Sequence, residues 1–170
     1  MAHKNIEFKA KVSNIEALEK MLLKLAPKYI GTDRQTDTYY NANRGRLKLR
    51  EGHIENALIH YERPNTADAK LSEILLYKHS PDKNLKAILE AQFGILTIVK
   101  KERKIYFIEN VKFHFDRVEQ LGTFIETEAI DETGNISIEK LQAQCDYYFD
   151  FFELSQEQLM SESYSDMLLG

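Results

Sequence analysis

The feature that most constrains the fold is a strictly alternating stretch near the N-terminus, residues 5–12. Positions 6, 8, 10 and 12 are apolar, whereas Glu7, Lys9 and Lys11 occupy the odd positions between them. A period of two predicts a β-strand with one apolar face and one charged face. Antiparallel sheets often have one solvated face, so this strand alone predicts only an amphipathic sheet.

The same pattern returns along the chain. Arg46, Lys48 and Arg50 alternate with leucines, Lys101 and Arg103 share one face of a later strand, and two acids share a face of the last strand. The residues placed on charged faces are the cations Lys9, Lys11, Arg46, Lys48, Arg50, Lys101 and Arg103 and the acids Glu7, Asp116, Glu126 and Glu128. Neighbouring cations repel one another, so a repeated cationic face needs either an anion or open water.

Composition limits the classes of protein that this chain can represent. Its 170 residues predict a single domain spanning 1–170, large enough for a hydrophobic core. The net charge of −4 argues against a nucleic-acid polymer as partner. No apolar run approaches the roughly 20 residues of a membrane span, so no membrane is expected. With one cysteine and no recognisable leader, the cytoplasm is the expected location.

Capping signals predict the helices. Ser13 with Glu16 forms a capping-box pattern before an apolar helical stripe, and Ser80 followed by Pro81 predicts the start of a second helix that Gly94 ends. A third stripe runs from Ile138 to Phe152 and includes Cys145, which we interpret as a small buried apolar residue. Residues 155–158 form another capping-box pattern.

Eight β-rich segments, at least three helices and several charged strand faces must be combined in one domain. An economical arrangement closes the sheet into a barrel, packs the helices on its apolar outside and leaves the charges lining the lumen. The predicted class is therefore α+β, with an antiparallel β-barrel as its centre.

A charged lumen is costly unless it is wet or holds a charged ligand. Arginine and lysine clusters suit phosphate oxygens, whereas carboxylates such as Glu7, Glu126 and Glu128 suit Mg²⁺ or Mn²⁺. Cations and carboxylates together therefore favour a metal-bound polyphosphate. Glycine-rich phosphate loops, paired-cysteine zinc sites and nucleophile elbows are missing from the sequence. His114 could face the lumen, although a lone histidine is more often a hydrogen-bonded structural residue.

Five segments, residues 5–9, 46–51, 101–106, 114–116 and 121–128, stand in the order and spacing of one family. The chain resembles the CYTH superfamily, the triphosphate tunnel metalloenzymes, and is most similar to class IV (CyaB-type) adenylyl cyclase-like proteins. The likeness extends to residues 162–164. It implies an eight-stranded closed antiparallel tunnel that binds a triphosphate with a divalent metal, and it allows a homodimer.

Two positions depart from the family pattern. The family opens with Glu-x-Glu-x-Lys, but Asn5 stands at the first position, and an amide oxygen brings no charge to a metal. Many relatives carry Lys-Gly-Pro after a middle strand, where this chain has Glu62, Arg63 and Pro64. One phosphate contact is therefore either lost or moved to Arg63.

The first hypothesis is a metal-dependent enzyme that converts ATP to cyclic AMP and pyrophosphate. Glu7, Glu126 and Glu128 would hold Mg²⁺ or Mn²⁺, with Asp116 a further ligand or a water-orienting base. The cations named above, with Arg63, would bind the phosphates. Lys101, Arg103 and Asp116 are the candidate catalytic residues.

Three alternatives remain open from the sequence. The same metal and cation set would serve hydrolysis of tripolyphosphate, thiamine triphosphate or nucleoside triphosphates. A tunnel weakened at Asn5 could instead bind polyphosphate with little turnover, as a sensor or storage module. The charged faces could also be solvated and joined by internal salt bridges.

Overall fold

The computed structural model describes residues 2–62 and 69–170. Within them the chain forms eight strands, four α-helices and one short 3₁₀ turn at Gln156–Gln158. The strands are β1 Ala2–Lys11, β2 Lys28–Tyr40, β3 Arg46–Glu51, β4 Ala57–Glu62, β5 Lys70–Lys78, β6 Ile95–Ile108, β7 Val111–Val118 and β8 Gly122–Asp131. The helices are α1 Ile15–Leu23, α2 Lys83–Phe93, α3 Ile138–Phe151 and α4 Tyr164–Leu169.

The strands close into one antiparallel barrel in the order β1-β5-β4-β3-β2-β6-β7-β8. The closure occurs at β1, which pairs with β5 on one side and with β8 on the other. The expected eight-stranded antiparallel barrel is therefore confirmed. Because side chains alternate across a strand, every strand has one face toward the lumen and one toward the outside.

The main hydrophobic core lies outside the barrel wall. The apolar face of β1 packs with that of β7 and β8 against the stripes of α1 and α3, as in the edge-to-face contact of Phe113 with Tyr148 at 4.7 Å between ring centroids. Cys145 of α3 is buried in this core, as expected, and burial raises the pKa of its thiol to about 12. On the other side, Leu85 and Leu89 of α2 pack against Tyr40 and Leu49.

The last helix, α4, has a different position from the other three. Its first residue, Tyr164, is buried in a cluster with Tyr39, Val99, Val118 and Phe124. These are residues of the lumenal strand faces, so α4 covers one mouth of the tunnel. The preceding segment reaches this position by pairing with β1, where the amide of Met160 donates to the carbonyl of Lys9 at 2.9 Å.

Two helix starts differ from the capping prediction. Helix α1 is capped by Asn14, which accepts from the amide of Ala17, and α2 is capped by Asp82. The expectations for Ser13 and Ser80 were wrong, because asparagine and aspartate closer to the first helical turn are equally good caps. The capping box at Ser155 and the end of α2 at Gly94, which has a φ of 71°, are confirmed.

No helix in residues 2–62 or 69–170 is long and apolar enough to span a membrane.

Candidate functional site

The tunnel encloses a cavity of about 490 Å³. This volume lies in the range of sites that hold small organic ligands, roughly 300–1,000 Å³. The residues predicted for the site that line this cavity are Glu7, Lys9, Lys48, Arg50, Lys101, Arg103, Glu126 and Glu128. Alternating strand faces therefore bring together side chains that lie far apart in the sequence.

Three other predicted site residues lie outside this lining. Lys11 is exposed, with its Nζ 5.8 Å from the ring centroid of Phe124. Arg46 is partly exposed and forms an ion pair of 2.6 Å with Asp166 of α4. Asp116 is fully buried behind Arg103, and Arg63 lies outside the described residues. Among the described residues, Lys11, Arg46 and Asp116 do not contribute to the lining of the cavity.

Asp37 of β2 is the centre of one ionic cluster. Its carboxylate accepts two hydrogen bonds of 2.9 Å from Arg50 and one of 2.6 Å from Lys101, and Lys48 lies 3.9 Å away. Burial alone would raise the pKa of Asp37, but the charges of Arg50 and Lys101 outweigh it and hold that pKa well below its ordinary value. Asp37 therefore fixes two of the phosphate-binding candidates in place.

Asp116 of β7 is the centre of a second cluster. It accepts a bidentate pair from Arg103, at 2.8 and 2.7 Å, and a hydrogen bond of 2.7 Å from the hydroxyl of Tyr164. The ring of Tyr164 lies 3.9 Å below the ammonium of Lys9. Both oxygens of Asp116 are engaged, and they orient the guanidinium of Arg103 toward the cavity.

Glu126, Glu128 and His114 form a group that could hold a metal ion, because one ligand atom from each lies within 4.8 Å of the others. Nδ1 of His114 is 3.8 Å from Glu126 Oε2 and 3.7 Å from Glu128 Oε1. Neither ring nitrogen of His114 has a hydrogen-bond partner among the described residues, although the ring is buried. Unsatisfied buried nitrogens of this kind are explained when a ligand completes the site.

The protonation states of this group suit a divalent cation. Burial, with the nearby charge of Arg103, lowers the pKa of His114 to about 3, so the imidazole is neutral. Burial and Glu7 raise the pKa of Glu128 to about 7, because two carboxylates share a small space. A cation between them would relieve that repulsion. The carboxylate oxygens suit Mg²⁺ or Mn²⁺, whereas an imidazole ligand suits a transition metal, so the complete set fits Mn²⁺ better than Mg²⁺.

A loop between β3 and β4 adds an acid to the tunnel. Asp33 of β2 accepts hydrogen bonds from the amides of His53, Ile54 and Glu55, at 2.6 to 3.0 Å. The loop is thereby held so that Glu55 accepts from Gln35 at 2.9 Å and pairs with Arg50 at 3.6 Å. Glu55 also forms an ion pair with Lys112 of β7.

Sequence reasoning missed Asp37, Glu55 and the contribution of His114. Asp37 is one acid in a β-forming segment, although its alternation with Gln35 and Tyr39 is visible in the sequence. Glu55 lies in the connection between β3 and β4, where no alternating pattern marks it as a site residue. His114 gives the signal of a lone histidine in the sequence, whereas the register of β7 with β8 places it directly opposite Glu126.

The charges of the cavity almost balance. Within the described residues, seven lysines and arginines and six carboxylates line it. A phosphate chain would compete with the carboxylates for the same donors. Because the cavity has almost no net charge to neutralise a phosphate chain, we expect such a chain to bind together with a divalent cation.

Known structures share this fold over almost the whole chain. The PH1012 protein from Pyrococcus horikoshii has a TM-score of 0.80 at 23% identity, covering 95% of this chain and 98% of that one. A candidate adenylate cyclase from Vibrio parahaemolyticus has a TM-score of 0.79 at 18% identity, covering 98% of both. A candidate adenylyl cyclase from Hippeastrum, described as having a dominant triphosphatase activity, has a TM-score of 0.65 at 12% identity and covers 98% of this chain and 94% of that one.

A sequence search against curated proteins gave no match. The CYTH domain, in contrast, matches residues 3–143, which include β1 from its second residue, all of β2 to β8 and every described tunnel residue except those of the C-terminal segment. The closed barrel, its charged lumen and this match agree, and the chain belongs to the CYTH domain family.

Proposed function

We propose that this protein is a metal-dependent enzyme that acts on an organic triphosphate and converts ATP to cyclic AMP and pyrophosphate. The observation that supports this most directly is the shared cavity, in which fixed cations face a carboxylate and imidazole group. Phosphoryl chemistry needs mainly positioning and electrostatic stabilisation, and both are supplied by such an arrangement.

The side chains divide into two sets. Lys9, Lys48, Arg50, Lys101 and Arg103 would bind phosphate oxygens, with Arg50 and Arg103 held in orientation by Asp37 and Asp116. Glu126, Glu128 and His114 would hold Mg²⁺ or Mn²⁺, with Glu7 opposite Glu128 on the neighbouring strand. The bound cation would supply neutralising charge to the phosphate oxygens.

In the cyclisation, the ribose 3′ oxygen forms a bond to the α-phosphorus, and the bond from that phosphorus to the α–β bridging oxygen breaks. Pyrophosphate leaves, and the hydroxyl proton passes to water. Lys101 and Arg103 would stabilise the charge that grows on the leaving oxygens. Asp116 serves as a positioning residue, since its oxygens already accept from Arg103 and Tyr164.

Hydrolysis of a triphosphate is the second candidate. It would use the same cations and the same metal group, with water in place of the ribose hydroxyl. The fold shared with the Hippeastrum protein, which is described by a dominant triphosphatase activity, favours this alternative.

Product analysis by ³¹P NMR, with ATP and Mn²⁺ or Mg²⁺, separates the candidates. Pyrophosphate with cyclic AMP supports the cyclase, whereas ADP with orthophosphate supports hydrolysis. If ATP and tripolyphosphate both stay unchanged but bind, the chain is a binding module and the enzymatic proposal fails.

Glu126→Gln tests the metal group. The neutral amide keeps the shape but removes the charge, so metal-dependent turnover should fall by on the order of 100-fold to 1,000-fold. Glu119→Gln changes an exposed turn carboxylate outside the tunnel and should have no effect. Full activity of Glu126→Gln, with an unchanged metal requirement, would contradict the assignment.

A further inference from the structure

One wall of the tunnel is mainly apolar, with one cation among its described residues, Lys78, at the end of its strand. On β4 and β5 the lumenal side chains of this apolar wall are Ala57, Ile59, Ile74 and Leu76, which form one cluster. In the closed strand order, β4 and β5 lie across the barrel from β6 and β7, which carry Lys101, Arg103 and Lys112. The cavity therefore has a polar side and an apolar side that face each other.

The apolar wall is not explained by packing against a helix. The large apolar clusters that join α1, α2 and α3 to the barrel involve the outer strand faces, whereas Ile74 and Leu76 line the cavity and are only half-buried. A tunnel that holds only a phosphate chain gains nothing from such a wall, because each oxygen that faces it loses hydrogen bonds to water. The wall matches the apolar part of a ligand.

Two buried polar atoms beside the apolar wall lack a hydrogen-bond partner among the described residues. Asn5 of β1 and Ser72 of β5 lie opposite each other in the sheet, each only 1% exposed, and both line the cavity. Asn5 Oδ1 and Ser72 Oγ have no hydrogen-bond partner among the described residues. Buried polar atoms that face a cavity are normally satisfied by what the cavity binds.

The same asparagine connects this region to the metal group, since Asn5 Nδ2 donates to Glu128 Oε2 at 3.4 Å. A ligand could therefore place its phosphates between the cations and the carboxylates and its organic part on the apolar wall. A mostly apolar surface with a few polar groups beside it is typical of pockets that bind small organic ligands.

We infer that the apolar wall, with Asn5 Oδ1 and Ser72 Oγ, binds the base of the nucleoside triphosphate, so that contacts on this wall make the tunnel prefer that substrate to inorganic tripolyphosphate. This inference rests on the proposed triphosphate chemistry. Asn5 then contributes to specificity, because its side-chain oxygen accepts a hydrogen bond from the polar edge of the base. A glutamate at this position would bind metal.

Calorimetry with Mn²⁺ tests the inference by comparing inorganic tripolyphosphate with the α,β-methylene analogues of ATP, GTP, CTP and UTP. At least one analogue should bind the wild-type protein about tenfold or more tightly than tripolyphosphate. Ile74→Ser and Ser72→Ala should remove most of that advantage and leave tripolyphosphate affinity within about twofold. ³¹P NMR after each titration verifies that the ligand is intact.

Leu75→Ser is the matched control, since Leu75 follows Ile74 on the same strand but is 55% exposed on the outer face. It should change neither affinity. The inference is overturned if no analogue exceeds tripolyphosphate, or if Ile74→Ser and Ser72→Ala weaken all ligands equally. If tripolyphosphate binds and no analogue binds more tightly, the proposed phosphate chemistry stands without the base site. If no ligand binds, the proposed function and this inference both fail.

Discussion

At the scale of single residues, the tunnel depends on a few carboxylates that hold its cations. Asp37 accepts from both Arg50 and Lys101 and is almost completely buried. Such a residue has two effects, because it stabilises the empty tunnel and also arranges the donors that a phosphate would use. Removing one partner of a buried ion pair is costly because the other charge is left without compensation.

Asp37→Asn should therefore destabilise the protein by about 3–5 kcal/mol in urea unfolding. Tripolyphosphate with Mn²⁺ should stabilise this variant more than the wild type, because the anion replaces the missing charge. Glu16→Gln removes an acid from an exposed pair with Arg117 and should have little effect. An Asp37→Asn protein with wild-type stability would show that the cluster is not a strong determinant of the fold.

At the scale of elements, α4 is the part that gives the tunnel a closed end. Tyr164 fills this mouth, where its ring contacts Phe124 at 5.0 Å between centroids and its hydroxyl bonds to Asp116. The helix is short, but Ser163 and Asp166 form a capping box that fixes its first turn. A six-residue helix is not stable alone, so its position depends on this packing.

Tyr164→Phe should retain the packing and lose only the hydroxyl, at a cost of about 1–3 kcal/mol for the lost hydrogen bond to the Asp116 carboxylate, which still accepts from Arg103. Tyr164→Ala should cost about 3–5 kcal/mol, since it also leaves a cavity. Leu169→Ala in the same helix changes an exposed side chain and should cost much less. Urea unfolding measures the free energy of unfolding of each variant. Equal stabilities for Tyr164→Ala and Leu169→Ala would contradict the role of Tyr164 in filling this mouth of the tunnel.

Element positions were largely predictable, because strands with period two and helices with apolar stripes leave a direct signal in the sequence. The faces of β1, β3 and β8 follow from alternation alone. The ion-pair partner of each charged residue could not be predicted from alternation. Asp37 and Lys101 are 64 residues apart in the sequence, and only the register of β2 with β6 brings them together. His114 was undervalued for the same reason, and the position of α4 could not be derived from its six residues.

At the scale of the whole molecule, the barrel places nearly balanced charges in one buried volume. In that setting the protonation of a single lysine changes the balance. Burial, with the charges of Arg103 and Arg50, outweighs the attraction of Asp37 and lowers the pKa of Lys101 to about 8. The free protein therefore loses the charge of Lys101 at mildly alkaline pH, well below the ordinary titration range of lysine.

A bound phosphate favours the protonated ammonium, so the pKa of Lys101 should rise on binding. Tripolyphosphate affinity should then decrease as the pH increases above about 8, and binding near about pH 9 should take up protons. Calorimetry in buffers of different ionisation enthalpy measures this uptake. Lys101→Arg keeps its charge and should show less uptake than the wild type, while the exposed Lys11→Arg should match the wild type. Identical proton uptake in Lys101→Arg and wild type would contradict this prediction. It would mean that Lys101 is already protonated in the free tunnel, because Asp37 raises its pKa by as much as burial lowers it.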